Sequence, residues 1–500
     1  MEKVLVANRG EIACRVLRAC REAGIQTVAI CAANDAGSMF PELADEVVML
    51  QGDTIAETYL NQSQLLEAAR STGAQAIHPG FGFLSERADF AQAVLDAGLI
   101  WIGPSPHAIE KMGDKMTARK TMKAAGVPVI PGEEIELEDE AAALSALEEA
   151  AQRVGYPLLL KASSGGGGKG MRAVTEPSGF AEAAAGARRE AIAAFGDGRI
   201  YIERLLTGSK HIEIQIIADR TGHTVHLGER ECSVQRRHQK VFEEAPGPTM
   251  TPAIREAMGE AAVAAAKAVD YEGAGTVEFL LAPNGEFFFL EMNTRIQVEH
   301  PVTEMVTGVD IVREQLRIAA GEPMSCGTAQ MRGHAIEVRL YAEDPANGFL
   351  PSIGPLAVFR PPEGPGIRLD TGVREGDDVT PNYDPMLAKL IVWAPSRVEA
   401  LERMRRALDE FVVLGTTTNV AFLRDLCDNE DVVSGSTTTT TIDNTWPQGW
   451  SPVEHEALTQ AALLSAAAGE TLGLHRPSRS GPSSEDGPSS PFSTLSRRYP

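Results

Sequence analysis

Two apolar runs, Val277–Leu281 and Phe287–Met292, flank Pro283-Asn284-Gly285, and each run carries a glutamate, Glu278 and Glu291. Apolar segments around Asn-Gly read as a β-hairpin. A two-residue Asn284-Gly285 turn sets Glu278 opposite Glu291 and Thr276 opposite Asn293, with Val277, Phe279 and Leu281 against Phe288, Leu290 and Met292 on the other face. Pro283 cannot donate the hydrogen bond flanking that turn; the alternative three-residue turn shifts the pairing by one and requires a bulge. Facing carboxylates repel, so the pair suggests a divalent cation. Mg²⁺, a hard ion held by one or two carboxylates plus nucleotide phosphates, fits best. Two solvated glutamates on an exposed face are the competing reading.

Directly downstream runs Thr294-Arg295-Ile296-Gln297-Val298-Glu299-His300-Pro301. Pro301 biases His300 towards an extended conformation, and an extended run puts Arg295, Gln297 and Glu299 on one face and Ile296 and Val298 on the other. A cation, an amide and a carboxylate beside a metal-bound nucleotide can hold a small oxyanion and remove its proton; an Arg295–Glu299 ion pair is the plainer alternative. Lys161-Ala162-Ser163-Ser164-Gly165-Gly166-Gly167-Gly168-Lys169-Gly170-Met171 is a glycine run between two predicted strands. Its backbone N–H groups can close around phosphate oxygens, because no side chain blocks their approach. It is not a Walker loop, since neither Gly-Lys-Ser nor Gly-Lys-Thr occurs, and Ser85 stands where a dinucleotide fingerprint after Gly80-Phe81-Gly82 needs its third glycine. The basic hexad Gln235-Arg236-Arg237-His238-Gln239-Lys240 reads as a solvated surface or an anion site, and Lys115 adds a further cation.

These groups need elements to position them. The first hundred residues alternate strands and helices: Val4–Ala7, a helix over Glu11–Gly24, Thr27–Ala32, a helix near Leu60–Thr72, Gln75–His78, a helix over Ser85–Ala97 and Leu99–Gly103. That pattern predicts an α/β fold with a parallel sheet covered on both faces. Residues 112–333 form a second region, with the segment about 131–203 as a smaller glycine-rich subdomain over a larger sheet. A third, α+β region spans 334–447, with strands at Ala335–Tyr341 and Leu387–Trp393 and a helix over Arg397–Glu410. After Trp450 an Ala/Leu-rich helix is followed by a Ser/Pro/Gly/Arg-rich stretch too poor in apolar residues for a core, so 448–500 reads as a helix plus a disordered tail or linker.

Five hundred residues suggest about three domains, and a hydrophobic share of 43% is ample for their cores. A formal charge of −23 argues against a nucleic-acid-binding surface. No apolar stretch approaches the ~20 residues needed to cross a bilayer, and Met1-Glu2-Lys3 leads into a strand rather than a signal peptide. The 6 cysteines show no Cys-x-x-Cys spacing and read as reduced thiols, hence a cytoplasmic setting. Because bound anions need positive charge, the acidity is expected to describe the outer surface, with a cleft of opposite sign.

Taken together, the segments resemble the biotin carboxylases, the ATP-grasp subunit or domain of biotin-dependent carboxylases. The resemblance spans about residues 2–447. It rests on Ala7-Asn8-Arg9-Gly10-Glu11-Ile12-Ala13, on His78-Pro79-Gly80-Phe81-Gly82-Phe83-Leu84-Ser85-Glu86, on the glycine run and basic hexad, and on Glu291 through Pro301. It implies an N-terminal domain (1–111), an ATP-grasp domain (112–333) with the glycine-rich segment as its lid, and a C-terminal domain (334–447). The implied activity is ATP-dependent carboxylation of biotin by bicarbonate through carboxyphosphate, the first half-reaction of an acetyl-CoA/propionyl-CoA type carboxylase. Matched by position, Lys115, Lys161 and His211 look like phosphate ligands, joined by Gly165, Gly166, Gly167 and Gly168 of the lid and by Gln235 and His238. Met171, Glu203, Leu206 and Leu280 look like the adenine and ribose pocket. Glu278, Glu291 and Asn293 would hold Mg²⁺, or Mn²⁺ in its place. Lys240, Arg295, Gln297 and Val298 would surround bicarbonate, Glu299 would be the base, and Arg339 would stabilise the biotin oxygen; on the residues alone, Arg339 reads as an ion pair with Glu337. Phe81 stands where the family commonly has Tyr, Arg204 replaces a frequent Lys, and Thr437–Thr441 replace a more apolar stretch, so no adenine contact is assigned there. No Met-Lys-Met carrier segment occurs. Biotin would therefore arrive on a separate carboxyl carrier protein, or on a later part of a longer chain, with a carboxyltransferase and a homodimeric partner implied. Another ATP-grasp ligase with a different acceptor and a non-catalytic nucleotide-binding subunit are the competing functions.

Overall fold

Strand–helix alternation near the N-terminus builds a five-stranded parallel sheet from β1 (Lys3–Val6), β2 (Gln26–Cys31), β3 (Glu46–Met49), β4 (Ala76–His78) and β5 (Ile100–Trp101), in the order β3-β2-β1-β4-β5. The structure is a computed structural model that describes residues 1–135, 140–162, 171–195, 200–237 and 239–452. Successive side chains of β1 serve opposite cores. Val4 and Val6 pack with Ile12 and Val16 of helix α1 (Gly10–Glu22), while Leu5 packs with Val28, Ile30, Ile77 and Phe90. A sheet covered on both faces reads as continuous apolar runs, which is why these strands were visible. The edge strand β3 was not: its side chains are mostly exposed, and its sequence carries no burial signal.

A second, four-stranded sheet, ordered β6-β9-β7-β8, contains β6 (Gly132–Ile135), β7 (Leu158–Ala162), β8 (Met171–Val174) and β9 (Ile200–Arg204). Leu158, Leu160, Val174, Ile200 and Ile202 pack against Leu147, Ala150, Phe180 and Ala187 of the helices Glu140–Val154 and Phe180–Phe195. β7 and β8 pair antiparallel with Lys161 opposite Met171. The glycines expected between them, together with His238 and the segment 453–500, lie outside the described residues.

The third sheet joins the central and C-terminal regions. It has eight strands in the order β14-β13-β10-β11-β12-β15, then Met386–Ala394, then Ile367–Thr371. The labelled strands are β10 (Lys210–Ala218), β11 (Thr224–Arg236), β12 (Gln239–Ala245), β13 (Gly273–Leu281), β14 (Phe287–Asn293) and β15 (His334–Tyr341). At the junction Phe242 pairs with Val338 and Glu243 with Glu337; further along, Val338 pairs with Leu390 and Arg339 with Lys389. Paired residues share a face, so one face is apolar and the other charged. Phe242, Val338 and Leu390 pack on Leu401, Met404 and Leu408 of the helix Arg397–Glu410. The charged face is also buried, and it supplies the site.

All six cysteines are free thiols. Among the described residues, no helix is long and apolar enough to cross a membrane.

Candidate active site

The β13–β14 hairpin turns through three residues. Ala282 N–H donates to Glu286 O at 2.8 Å, Gly285 N–H donates to Ala282 O at 2.9 Å, and Gly285 has φ +87°, a conformation that favours glycine. Of the two turns left open by the sequence the three-residue one forms, because Pro283, without an N–H, sits inside the loop. The extra residue is absorbed by a bulge between Glu278 and Phe279, so Glu278 still faces Glu291 and Thr276 faces Asn293. The bulge changes the apolar partners: Phe279 faces Phe289 and Leu281 faces Phe287, not Leu290 and Phe288.

Lys240 is the centre of the site. The β11–β12 turn sets Gln235 opposite Lys240 and Arg236 opposite Gln239, with Arg237 at φ +49°. Lys240 Nζ donates to Glu213 Oε2 at 2.6 Å, Glu278 Oε1 at 2.8 Å and Glu299 Oε1 at 2.7 Å. Burial alone would lower its pKa, but the three carboxylates outweigh burial and hold the ammonium charged. Arg339 Nε donates to Glu243 Oε1 at 2.6 Å, and its Nη2 donates to Glu299 Oε2 at 3.0 Å. Arg230, also fully buried, donates to Glu213, to Gln215 at 2.8 Å and to Thr276 at 3.1 Å. Burial would raise the Glu299 pKa; Lys240, Arg339 and Arg230 instead hold it well below the usual carboxylate range.

The segment after β14 is not extended. Glu299 has φ −82° and ψ 12°, and His300 and Pro301 open the helix His300–Thr307. Proline is tolerated in a helix's first turn, and His300 Nδ1 lies 2.8 Å from Gln297 O, so the bias before proline is overridden. The turn still gathers the expected groups. Arg295 Nη1 donates to Gln297 Oε1 at 3.0 Å, and Gln297 Nε2 donates to Glu278 Oε1 at 3.0 Å. Both plain ion pairs are overturned: Arg295 Nε bonds Glu86 at 2.9 Å, leaving Glu299 to Lys240 and Arg339, and among the described residues the buried Glu337 has neither carboxylate oxygen hydrogen-bonded.

Around Glu278 stand the candidate metal ligands. Asn293 Nδ2 donates to Glu278 Oε1 at 2.9 Å, and His211 Nε2 lies 2.9 Å from Glu278 Oε2. Burial and then the Glu278 charge push the Glu291 pKa up, while Lys115, at the start of the helix Lys115–Ala124, pulls it down. Against burial, Lys240 and His211 hold the Glu278 pKa well below the usual carboxylate range, so a charged Glu278 facing Glu291 offers the hard oxygen donors that fit a divalent cation. His211, Glu213 and Glu278 also bring ligand atoms within 4.8 Å of one another, but the Lys240 ammonium already bonds both glutamates there.

The remaining nucleotide candidates form smaller groups. Lys161 pairs with Glu203 on the four-stranded sheet, and Met171 faces Lys161 in register. Leu280 pairs with His211 across β10–β13, Leu206 O accepts from Ser209 Oγ at 3.3 Å, and Gln235 Nε2 lies 2.9 Å from His211 Nδ1. The basic hexad divides: Arg236 pairs with Glu343 at 3.0 Å and lies over the Phe349 ring, while Gln235 and Lys240 face the site. Phe81 O accepts from Asn8 Nδ2 at 2.8 Å, so a backbone contact persists without a tyrosine hydroxyl. Thr437 donates to Glu231 at 2.8 Å, and its carbonyl accepts from Lys210 at 2.8 Å. The expected positive cleft is corrected to an interleaved cluster in which Lys240, Arg339, Arg295 and Lys161 each meet a carboxylate.

Sequence reasoning missed Glu213, Arg230, Glu243 and Lys389. A signal for Glu213 existed: His211-Ile212-Glu213-Ile214-Gln215-Ile216 alternates strictly, and all of these residues are buried. Polar alternation in a strand covered on both faces marks a polar interior.

Comparison with known proteins gives a consistent pattern. The family models Biotin carboxylase, N-terminal domain, Carbamoyl-phosphate synthase L chain, ATP binding domain, and Biotin carboxylase C-terminal domain match residues 1–109, 114–326 and 337–444. Biotin carboxylase of Nostoc sp. is 49% identical over 443 residues, covering 88% of the chain and 98% of that protein. The mitochondrial methylcrotonoyl-CoA carboxylase subunit alpha of Oryza sativa subsp. japonica is 49% identical over 478 residues; the match covers 93% of the chain but 64% of that longer protein. The biotin carboxylase domain dimer of Hydrogenobacter thermophilus 2-oxoglutarate carboxylase, with MgADP, ADP and bicarbonate, superposes with a TM-score of 0.85 at 45% identity, covering 91% of the chain and 99% of that structure. Biotin carboxylase of Campylobacter jejuni gives a TM-score of 0.84 at 40% identity, covering 89% and 98%.

Proposed function

The chain belongs to the biotin carboxylase family, and from that premise we propose that its site uses ATP to carboxylate biotin with bicarbonate, through carboxyphosphate. The observation that carries this reading is the double clamp on Glu299, with Lys240 on one carboxylate oxygen and Arg339 on the other.

Lys115, Lys161 and His211, with Gln235, His238 and Gly165–Gly168, take the nucleotide phosphates. Met171, Glu203, Leu206 and Leu280 form the adenine and ribose pocket. Glu278, Glu291 and Asn293 would hold Mg²⁺, which would supply charge neutralisation for a transferring phosphoryl group. Lys240, Arg295, Gln297 and Val298 orient bicarbonate, whose oxygen attacks the γ-phosphorus as the bond to ADP breaks, and Glu299 takes the bicarbonate proton. In the free site Lys240 and Arg339, bonded to its two oxygens, join Arg230 in making Glu299 a weak base. An anion that engages those same cations draws them away from the carboxylate, so its basicity rises as substrate arrives. Arg339, released in part from Glu299, stabilises the negative ureido oxygen of biotin.

The relatives are biotin carboxylase subunits or domains of larger carboxylases. That supports a biotin carboxyl carrier and a carboxyltransferase as partners and a second copy of this chain as a homodimer; an acyl-CoA of the acetyl/propionyl type as final acceptor has the propionyl-CoA carboxylase relative on its side, while other relatives are methylcrotonoyl-CoA and 2-oxoglutarate carboxylases. The matched ranges support the division into 1–111, 112–333 and 334–447, and six free thiols support a reducing cytoplasmic setting.

Glu299→Gln is expected to keep ATP binding and to lose bicarbonate-dependent ADP formation by at least about 100-fold; near-normal turnover would mean that another base operates. Free biotin is expected to stimulate ADP formation, and a complete lack of stimulation would point to an ATP-grasp ligase with a different acceptor.

A further inference from the structure

Lys389 is fully buried in the middle of the strand Met386–Ala394. It pairs in register with Arg339 on β15 and with Asp370 on Ile367–Thr371, so the three side chains leave the same face of the sheet. Its Nζ lies 3.1 Å from Glu11 Oε1 in the first turn of α1 and 3.8 Å from Asp370 Oδ2, and it donates to the main-chain carbonyl of Val298 at 2.8 Å. Arg339, its neighbour, holds Glu299 Oε2 at 3.0 Å. Two adjacent cations on one sheet thus hold consecutive residues, one by its peptide and the other by its carboxylate.

Desolvation opposes burying an ammonium by several kcal/mol. Glu11, Glu337 and Asp370 offset that cost. The only bond the ammonium sends towards the site, among the described residues, is the one to Val298. The Val298 carbonyl shares a rigid peptide plane with the Glu299 nitrogen, so fixing the carbonyl fixes the direction in which Glu299 leaves the backbone. We infer that Lys389 is a positioning residue for proton removal: through the Val298 carbonyl it orients the peptide that carries Glu299. This rests on Glu299 being the base. It adds a connection by which α1 and the C-terminal strands set the geometry of a loop that neither contains.

The test compares full-length Lys389→Met, Lys389→Arg, Glu299→Gln and the Lys389→Met/Glu299→Gln double variant by bicarbonate-dependent ADP release with ATP varied. Misplacing a reacting group by about 1 Å can cost about 100-fold, so Lys389→Met is expected to lower kcat by about that factor at unchanged KM for ATP. On top of Glu299→Gln the same change is expected to cost nothing further, since residues acting as one unit are non-additive. Lys389→Arg keeps the positive charge facing Glu11 and Asp370, so it folds and reports on the carbonyl contact if Lys389→Met does not. Its planar fork replaces a point donor, and a lowered kcat at unchanged KM for ATP is expected. Wild-type kcat in Lys389→Arg, a parallel rise in KM for ATP, or a further loss in the double variant each overturns the inference. Near-normal turnover of Glu299→Gln instead overturns the assignment of the base.

Discussion

Glu243 is fully buried on β12 and accepts from Arg339 at 2.6 Å. Burial pushes its pKa from 4.5 up to about 7; Arg339 pulls against that rise, and Glu299 adds to it. The folded chain therefore holds this proton more tightly than the unfolded chain does. The stability that Glu243 contributes is complete below 4.5 and is lost as pH rises through about 7. Glu243→Gln is expected to flatten that part of the pH dependence, read as the difference between urea midpoints at about pH 5 and about pH 8. An unchanged difference would assign the slope to other groups. Glu243, like Glu213 and Lys389, was illegible in the sequence because a charged residue in a strand ordinarily reads as solvated. Lys240, Arg295, Gln297 and Glu299 were legible because each sits in a dense polar motif whose composition departs from its surroundings.

The β13–β14 hairpin carries charge repulsion as part of its design. Glu278 and Glu291 face one another, and burial first and the Glu278 charge second make Glu291 hold its proton more tightly. Facing like charges cost up to about 1 kcal/mol, so in cation-free buffer Glu291→Gln is expected to melt about one degree higher than the parent. The stabilisation that MgADP gives the parent is expected to shrink in the variant, since a ligand bound only by the folded state stabilises in proportion to its affinity. Thermal melts with and without MgADP measure both effects, and a variant matching the parent in both would remove Glu291 from the metal site. At this scale the hairpin was legible, and its turn was legible only as a choice between two and three residues. Asn-Gly signals a reversal, but Pro283 moves the hydrogen bonding out by one residue, and only the bulge at Glu278/Phe279 restores the facing pair. The helix start at His300 was hidden for a related reason: the preference before proline is local, and the bond to Gln297 that overrides it depends on the turn already formed.

At the scale of the whole molecule, one eight-stranded sheet carries the site across what the sequence divides into central and C-terminal regions. A chain ending at residue 333 would strip β12 of its partner β15 and uncover Val241 and Phe242. Such a chain is expected to lack a cooperative thermal transition by calorimetry; a sharp two-state melt would show that the central region folds alone. The −23 charge argues against a nucleic-acid surface, but it did not foretell a positive cleft, because Lys240 and Arg339 are each matched by a buried carboxylate and Arg295 by the exposed Glu86. The parallel N-terminal sheet, the order of the regions and the groups proposed to do the chemistry could all be read from the sequence. Those features are written in local periodicity and in short motifs whose residue types have few other uses. Only the tertiary structure decided which carboxylate meets which cation, that Arg339 clamps Glu299 rather than Glu337, and that Lys389 reaches Val298. Such pairings join residues far apart in the chain, and their strength comes from burial that no single segment can supply.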